Sequence, residues 1–132
     1  MKKFSITTLL LICIAIVMGS CAHTTMGGLV GADRDEHGCI GSAGYTWSYA
    51  LHSCVRVWEA GTAFDAGPDR IFVIFSPDSA MAEIFAKKEK SIICRRVKDT
   101  NAWQPKKGKE SVSIQNGVIR VKVDDFTYTK EQ

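Results

Sequence analysis

Two stretches of this chain repeat one spacing, His37-Gly38-Cys39 and His52-Ser53-Cys54, with twelve residues between the units. Two imidazoles and two thiolates are a donor set for tetrahedral zinc. Asp33, Asp35 and Glu36 stand just before His37 and add oxygen donors, which also makes Asp33, Asp35, Glu36 and His37 a candidate set for a harder cation. H-x-C is nevertheless a poor zinc knuckle, because alternate residues point to one side only where the backbone is extended. The competing chemistry is oxidation: in an oxidising compartment two such cysteines join instead. Catalysis has less support. Ser42 in "IGSAG" lacks the spacing of a nucleophile elbow, and Glu59, Asp65 and Asp69 share no readable period. Serine, histidine and carboxylates without an oriented base and oxyanion donors do not make an acyl-transfer site. The expectation is a protein that is not an enzyme and carries no metal and no cofactor.

The compartment follows from the N-terminus. Lys2 and Lys3 precede an almost unbroken apolar run over residues 4–18, too short to span a bilayer comfortably and shaped like a signal peptide. Gly19 and Ser20 then precede Cys21, which resembles the lipobox of bacterial lipoproteins. That resemblance implies cleavage after residue 20, acylation of Cys21 (palmitate among the chains), a lipidated tether over 21–32, and one small domain over 33–132. It places the protein in the cell envelope, held to the membrane by its N-terminal lipid. Ala22 follows the lipid cysteine where an aspartate would favour inner-membrane retention, so the outer membrane is expected. Cys13 leaves with the signal, and Cys39, Cys54 and Cys94 allow three pairings. Cys39–Cys54 is favoured because both flank the compact glycine-rich stretch, and Cys94 in "SIICRRV" reads as a buried small hydrophobe.

Charge narrows the partners. The full chain is +3. Without Lys2 and Lys3 it has 15 basic and 14 acidic side chains, or +1, which removes the electrostatic support for nucleic-acid binding. The remaining charge is segregated. Residues 33–83 hold eight acidic and three basic side chains, and residues 87–109 hold nine basic and two acidic. Such an asymmetry suits steering toward a charged partner.

The elements that must position these groups read as short strands. "YTWSY" puts Tyr45, Trp47 and Tyr49 on one face at period two, and "CVRV" answers it across a turn near residues 51–53. "EAGTAFDAGPD" reads as a connection. "RIFVIF", "MAEIFA" and "SIICRRV" read as successive strands, with lysines blunting the tip between the last two. In "SVSIQNGVIRVKV", Asn116-Gly117 signals a type I′ hairpin, which pairs Gln115 with Val118, Ile114 with Ile119 and Val112 with Val121. Phe126 and Tyr128 continue the sheet or close it. Six to eight short strands without a long helix predict an all-β fold, a small antiparallel barrel or sandwich with an N-terminal cysteine-flanked loop.

The best exposed-loop candidate is "DTNAWQPKKGKE", with Trp103 as a contact anchor and Lys106, Lys107 and Lys109 as donors to carboxylates. Two resemblances bear on it. The segment D-x-x-G-C-x-x-S-A-G-Y-x-W, carried by Asp35, Gly38, Cys39, Ser42, Ala43, Gly44, Tyr45 and Trp47, resembles one in small bacterial secreted proteins and lipoproteins, where a further cysteine often stands at the position of Ser48. "FVIFSPDSAMAEIF" and "AWQPKKGKESVSIQNG", within residues 72–117, resemble the membrane-bound C-type lysozyme inhibitor family. The second resemblance implies a β-barrel on a lipid tether that inserts a loop into a lysozyme cleft, with the motif lysine at Lys107. The family's S-x-x-G-x-x-Y serine has no counterpart here, and Thr100 is the nearest substitute for its hydroxyl. The expected function is protein binding in the envelope, with inhibition of C-type lysozyme or another secreted hydrolase as its sharpest form. The expected partner is therefore a secreted hydrolase or an envelope protein. A structural or assembly lipoprotein and a metal-binding module are the alternatives.

Overall fold

The computed structural model describes residues 33–65, 69–87 and 90–132. The signal-peptide and tether readings and the lipidation of Cys21 fall on residues outside the described ones. Ten strands form among the described residues. A two-stranded hairpin pairs β1 (Thr46–Ser48) with β2 (Ser53–Val55). A single-turn helix α1 (Val57–Ala60) leads into β3 (Thr62–Phe64). Then follow β4 (Ile71–Phe75), β5 (Met81–Phe85), β6 (Ile92–Arg96), β7 (Ala102–Pro105), β8 (Ser111–Gln115), β9 (Val118–Val123) and β10 (Phe126–Glu131). Strands β3 to β10 make one antiparallel meander in sequence order.

The meander curls into a nearly closed barrel. Its edges, β3 and β10, come together where Lys130 Nζ donates to the Ala63 carbonyl at 3.2 Å, although no backbone ladder joins them among the described residues. Curling covers edges that would otherwise template aggregation. The C-terminal hairpin has the expected register, Gln115↔Val118, Ile114↔Ile119 and Val112↔Val121. Its turn needs positive φ at both central residues, and Asn116 and Gly117 adopt 51° and 74°.

Two strands lie where the sequence pattern suggests loops. β3 sits inside "EAGTAFDAGPD" and β7 inside "DTNAWQPKKGKE". Each is too short to display a period, and neighbouring strands decide them: Thr62↔Val73 and Phe64↔Ile71 for β3, Arg96↔Trp103 and Trp103↔Val112 for β7.

Strand alternation sorts the side chains. Val73, Ile84, Cys94, Trp103, Val112 and Val121 point inward and form the barrel core. The opposite face of β8 and β9 carries Ser113, Arg120 and Lys122. On β4 to β6 that outer face is apolar instead, with Phe72, Ile74, Phe85 and Ile93 around Glu83. Strands buried on both faces read as continuous apolar runs, which explains "RIFVIF". The cover is the N-terminal unit of residues 33–61. Gly61 lies so close that a Cβ there would stand 3.2 Å from Phe72 Cβ and 3.3 Å from Ile74 Cγ1.

Candidate functional site

The two H-x-C units do not form a metal centre. Cys39 and Cys54 are joined as a disulfide across a sequence separation of 15, as expected, which takes both thiolates out of the zinc donor set. The histidines go separate ways. His37 stacks on Trp47, with centroids 4.6 Å apart and planes 12° from parallel. His52 sits in the β1–β2 turn with φ 51°. The acidic segment before them organises its own backbone. Asp35 Oδ1 accepts the amides of His37 and Cys39 at 2.9 and 2.8 Å. Asp33 accepts the Ser42 hydroxyl at 2.8 Å and the Ser42 amide at 2.5 Å. Those two donors, the hydroxyl first, hold the Asp33 carboxyl below its ordinary value of 3.8. Among the described residues, no group of three or more His, Cys, Asp or Glu is placed to hold a metal ion.

What fastens this unit to the barrel is a residue that no motif in the sequence marks. Glu83, in the middle of β5, is fully buried. Its Oε2 accepts the Ser48 hydroxyl at 2.8 Å and the Ala50 amide at 3.1 Å, and its Oε1 accepts the Ser91 hydroxyl at 2.6 Å. The Ser48 oxygen in turn accepts the Leu51 amide at 3.2 Å. A buried carboxylate is tolerated when its lone pairs are matched by donors, and here two of the three come from the hairpin it holds. A thiol at position 48 would serve this carboxylate poorly, because S–H is a weak donor. The signal in the sequence was a lone carboxylate amid "MAEIFA", on the face opposite Ala82 and Ile84.

Between the unit and the barrel lies an open cleft of about 670 Å³. One wall is His37, Trp47 and Tyr49, and the other is Phe85, Ser91 and Ile93 of β5, β6 and their connection. Tyr49 meets the His37 ring edge-on at 5.6 Å, its hydroxyl 3.3 Å from Nε2. Asp35 and Glu36 rim one side and Lys90 the other. Glu36 Oε1 is 3.7 Å from His37 Nε2.

The second candidate region is the lysine-rich loop at one end of the barrel. In an antiparallel meander alternate turns share an end, so the β3–β4, β5–β6, β7–β8 and β9–β10 connections emerge together, and the lysines of the middle two share that end with Asp65, Asp69, Asp124 and Asp125 of the outer two. Lys106, Lys107 and Lys109 are all exposed in the β7–β8 loop, and none makes a hydrogen bond or ion pair with another described residue. Glycine is required within it: Gly108 has φ 130°, and a Cβ there would lie 2.1 Å from Glu110 Oε2.

Two expectations for this segment are corrected. Trp103 is not an exposed anchor. β7 turns it inward, 3% exposed, against Phe75, with its indole N–H donating to the Ser79 carbonyl at 2.9 Å and Arg96 above the ring. Thr100 does not stand beside Lys107. It belongs to the β6–β7 turn at the opposite end of β7, where its hydroxyl donates to the Val97 carbonyl at 2.9 Å. Cys94 is buried and free as expected, and burial first, then the Glu110 carboxylate, push its thiol up to about 11.

Comparison with protein-family models, with curated proteins and with solved structures found no match for this chain.

Proposed function

We propose that the protein is an envelope lipoprotein that binds another protein through the lysine-rich β7–β8 loop of its barrel, and that the partner is a secreted hydrolase with an acidic cleft. The observation that carries this reading is the β7–β8 loop, whose three lysines are exposed and unpaired among the described residues while both flanking strands are locked in the barrel wall. Ammonium groups held on a rigid scaffold form charge-assisted bonds to carboxylates and lose little loop entropy on binding. Lys90 of the β5–β6 connection emerges at the same end and adds to the attraction of an acidic surface. Inhibition follows from occupancy, without chemistry on the substrate.

The resemblance of the β7–β8 segment to the membrane-bound C-type lysozyme inhibitors makes C-type lysozyme the first partner to try. Lys107 would reach the catalytic carboxylates, without the family's serine. The purified protein is expected to suppress hydrolysis of bacterial walls by a C-type lysozyme at micromolar concentration. Lys107→Ala should weaken suppression by about one to two orders of magnitude, as for a desolvated charge pair, without lowering thermal stability. Absence of suppression by the unsubstituted protein removes lysozyme as the partner. Capture of no acidic hydrolase from host secretions or envelope extract removes the wider reading.

A further inference from the structure

The cleft between the disulfide unit and the barrel is a binding site in its own right, and we infer that it takes an uncharged oligosaccharide. Its volume, about 670 Å³, falls inside the range of small-ligand sites. Its two walls come from chain segments distant in sequence: Glu83 holds the hairpin on the barrel, and the Cys39–Cys54 bridge ties the His37 segment to that hairpin. The rings are presented to solvent rather than sunk in the core: Tyr49 and His37 are exposed, and Trp47 is half-buried with one face already braced by the imidazole. A pyranose ring has the matching character, with an apolar face of C–H groups for an aromatic surface and a rim of hydroxyls. The cleft rim offers acceptors at Asp35, Glu36 and the Ser91 oxygen, a donor at Lys90, and groups of both kinds at His37 and Tyr49.

The same features disfavour other ligand classes. Carboxylates on one lip oppose a phosphate or other polyanion, and Lys90 on the other opposes a simple cation. The half-open, half-polar lining leaves an acyl chain in contact with water. Opposed charges around aromatic faces suit a ligand that is polar, neutral and flat-sided. This site lies on the outer wall of β5–β6 rather than on the β7–β8 loop, and it does not depend on the hydrolase reading.

The three tryptophans allow a direct test by NMR of the indole N–H groups in the purified protein. The probes are β-1,4-linked N-acetylglucosamine tetramer, cellotetraose, which lacks the acetamido groups, and an acidic pentapeptide. Titration with one or both sugars is expected to move the Trp47 resonance saturably, with half-saturation at or below about 1 mM. Trp103, bonded to Ser79 in the core, and Trp58, lying against Gly44 outside the cleft, should stay in place. Tyr49→Ala should weaken sugar binding at least about tenfold while the Trp103 resonance still reports a folded barrel. Lys107→Ala should leave it unchanged. A Trp47 resonance unmoved by either sugar at about 10 mM, a response to the peptide alone, or equal binding by Tyr49→Ala overturns the proposal.

Discussion

Replacing Glu83 by alanine should loosen the N-terminal unit while leaving the barrel folded. The substitution strands three donors. The Ser91 hydroxyl is half-buried and can turn toward the cleft, so its loss costs little. The Ala50 amide and the Ser48 hydroxyl are sealed, and each buried donor without an acceptor costs about 1–3 kcal/mol. Removing a carboxylate from a dry site returns part of that, because its desolvation opposed folding. The balance is a destabilisation of about 2–4 kcal/mol, concentrated on residues 33–61. A domain of this size has about 5–15 kcal/mol in total, so the barrel survives. Glu83→Gln should cost less, because the amide keeps one acceptor and the hydroxyls can rotate to meet its N–H groups. The assay is native-state hydrogen exchange with the disulfide intact, comparing amides of β1 with those of β8 and β9. The β1 amides should lose protection by the full amount and the β8–β9 amides by less than about 0.5 kcal/mol. A double-mutant cycle with Ser48→Ala should give a coupling above about 1 kcal/mol. Equal loss of protection everywhere, or no coupling to Ser48, would refute the idea that this carboxylate is the latch.

Trp103→Ala should cost about 3–5 kcal/mol and release the β4–β5 turn held through Ser79, which calorimetry and the Ser79 amide shift would register; an unchanged melting temperature would return Trp103 to the surface. Mild reduction should open Cys39–Cys54 and lower stability by about 3 kcal/mol, as expected for a loop of this length. Cys94, its thiol raised to about 11 and buried, should stay unreactive toward a thiol reagent until the barrel unfolds, and fast labelling of the native protein would contradict its placement. Asp33 and Asp78 have carboxyls held below 3.8, Asp33 by Ser42 donors and Asp78 by the Ser76 hydroxyl and the Ala80 amide. The folded state therefore gains from both above that value and loses the gain as pH falls through their lowered pKa values. Carboxyl titration by NMR should show both midpoints below 3.8, and Ser42→Ala should raise that of Asp33 alone.

The C-terminal hairpin was legible in full because one dipeptide, Asn116-Gly117, sets a turn whose register alternation then confirms. The cysteine pair was legible for a similar reason: two thiols flanking a short glycine-rich stretch leave few competing partners nearby. Trp103 was not, because "DTNAWQPKKGKE" contains only four strand residues between two turns, and four residues carry no usable period. What separates the basic loop from Thr100 is the length of β7, a strand formed by pairing with β6 and β8 rather than by its own sequence.

Sequence alone, then, pointed to the all-β class, the register of the C-terminal hairpin, the favoured Cys39–Cys54 pairing and the lysine-rich segment, all of which rest on contacts between residues close along the chain. Tertiary structure alone decided that the strands curl into a barrel, that a carboxylate 35 residues from Ser48 fastens the disulfide unit to its wall, and that an aromatic cleft opens between them. Those features join segments distant in sequence, and their energies depend on burial and on partners that no local pattern records.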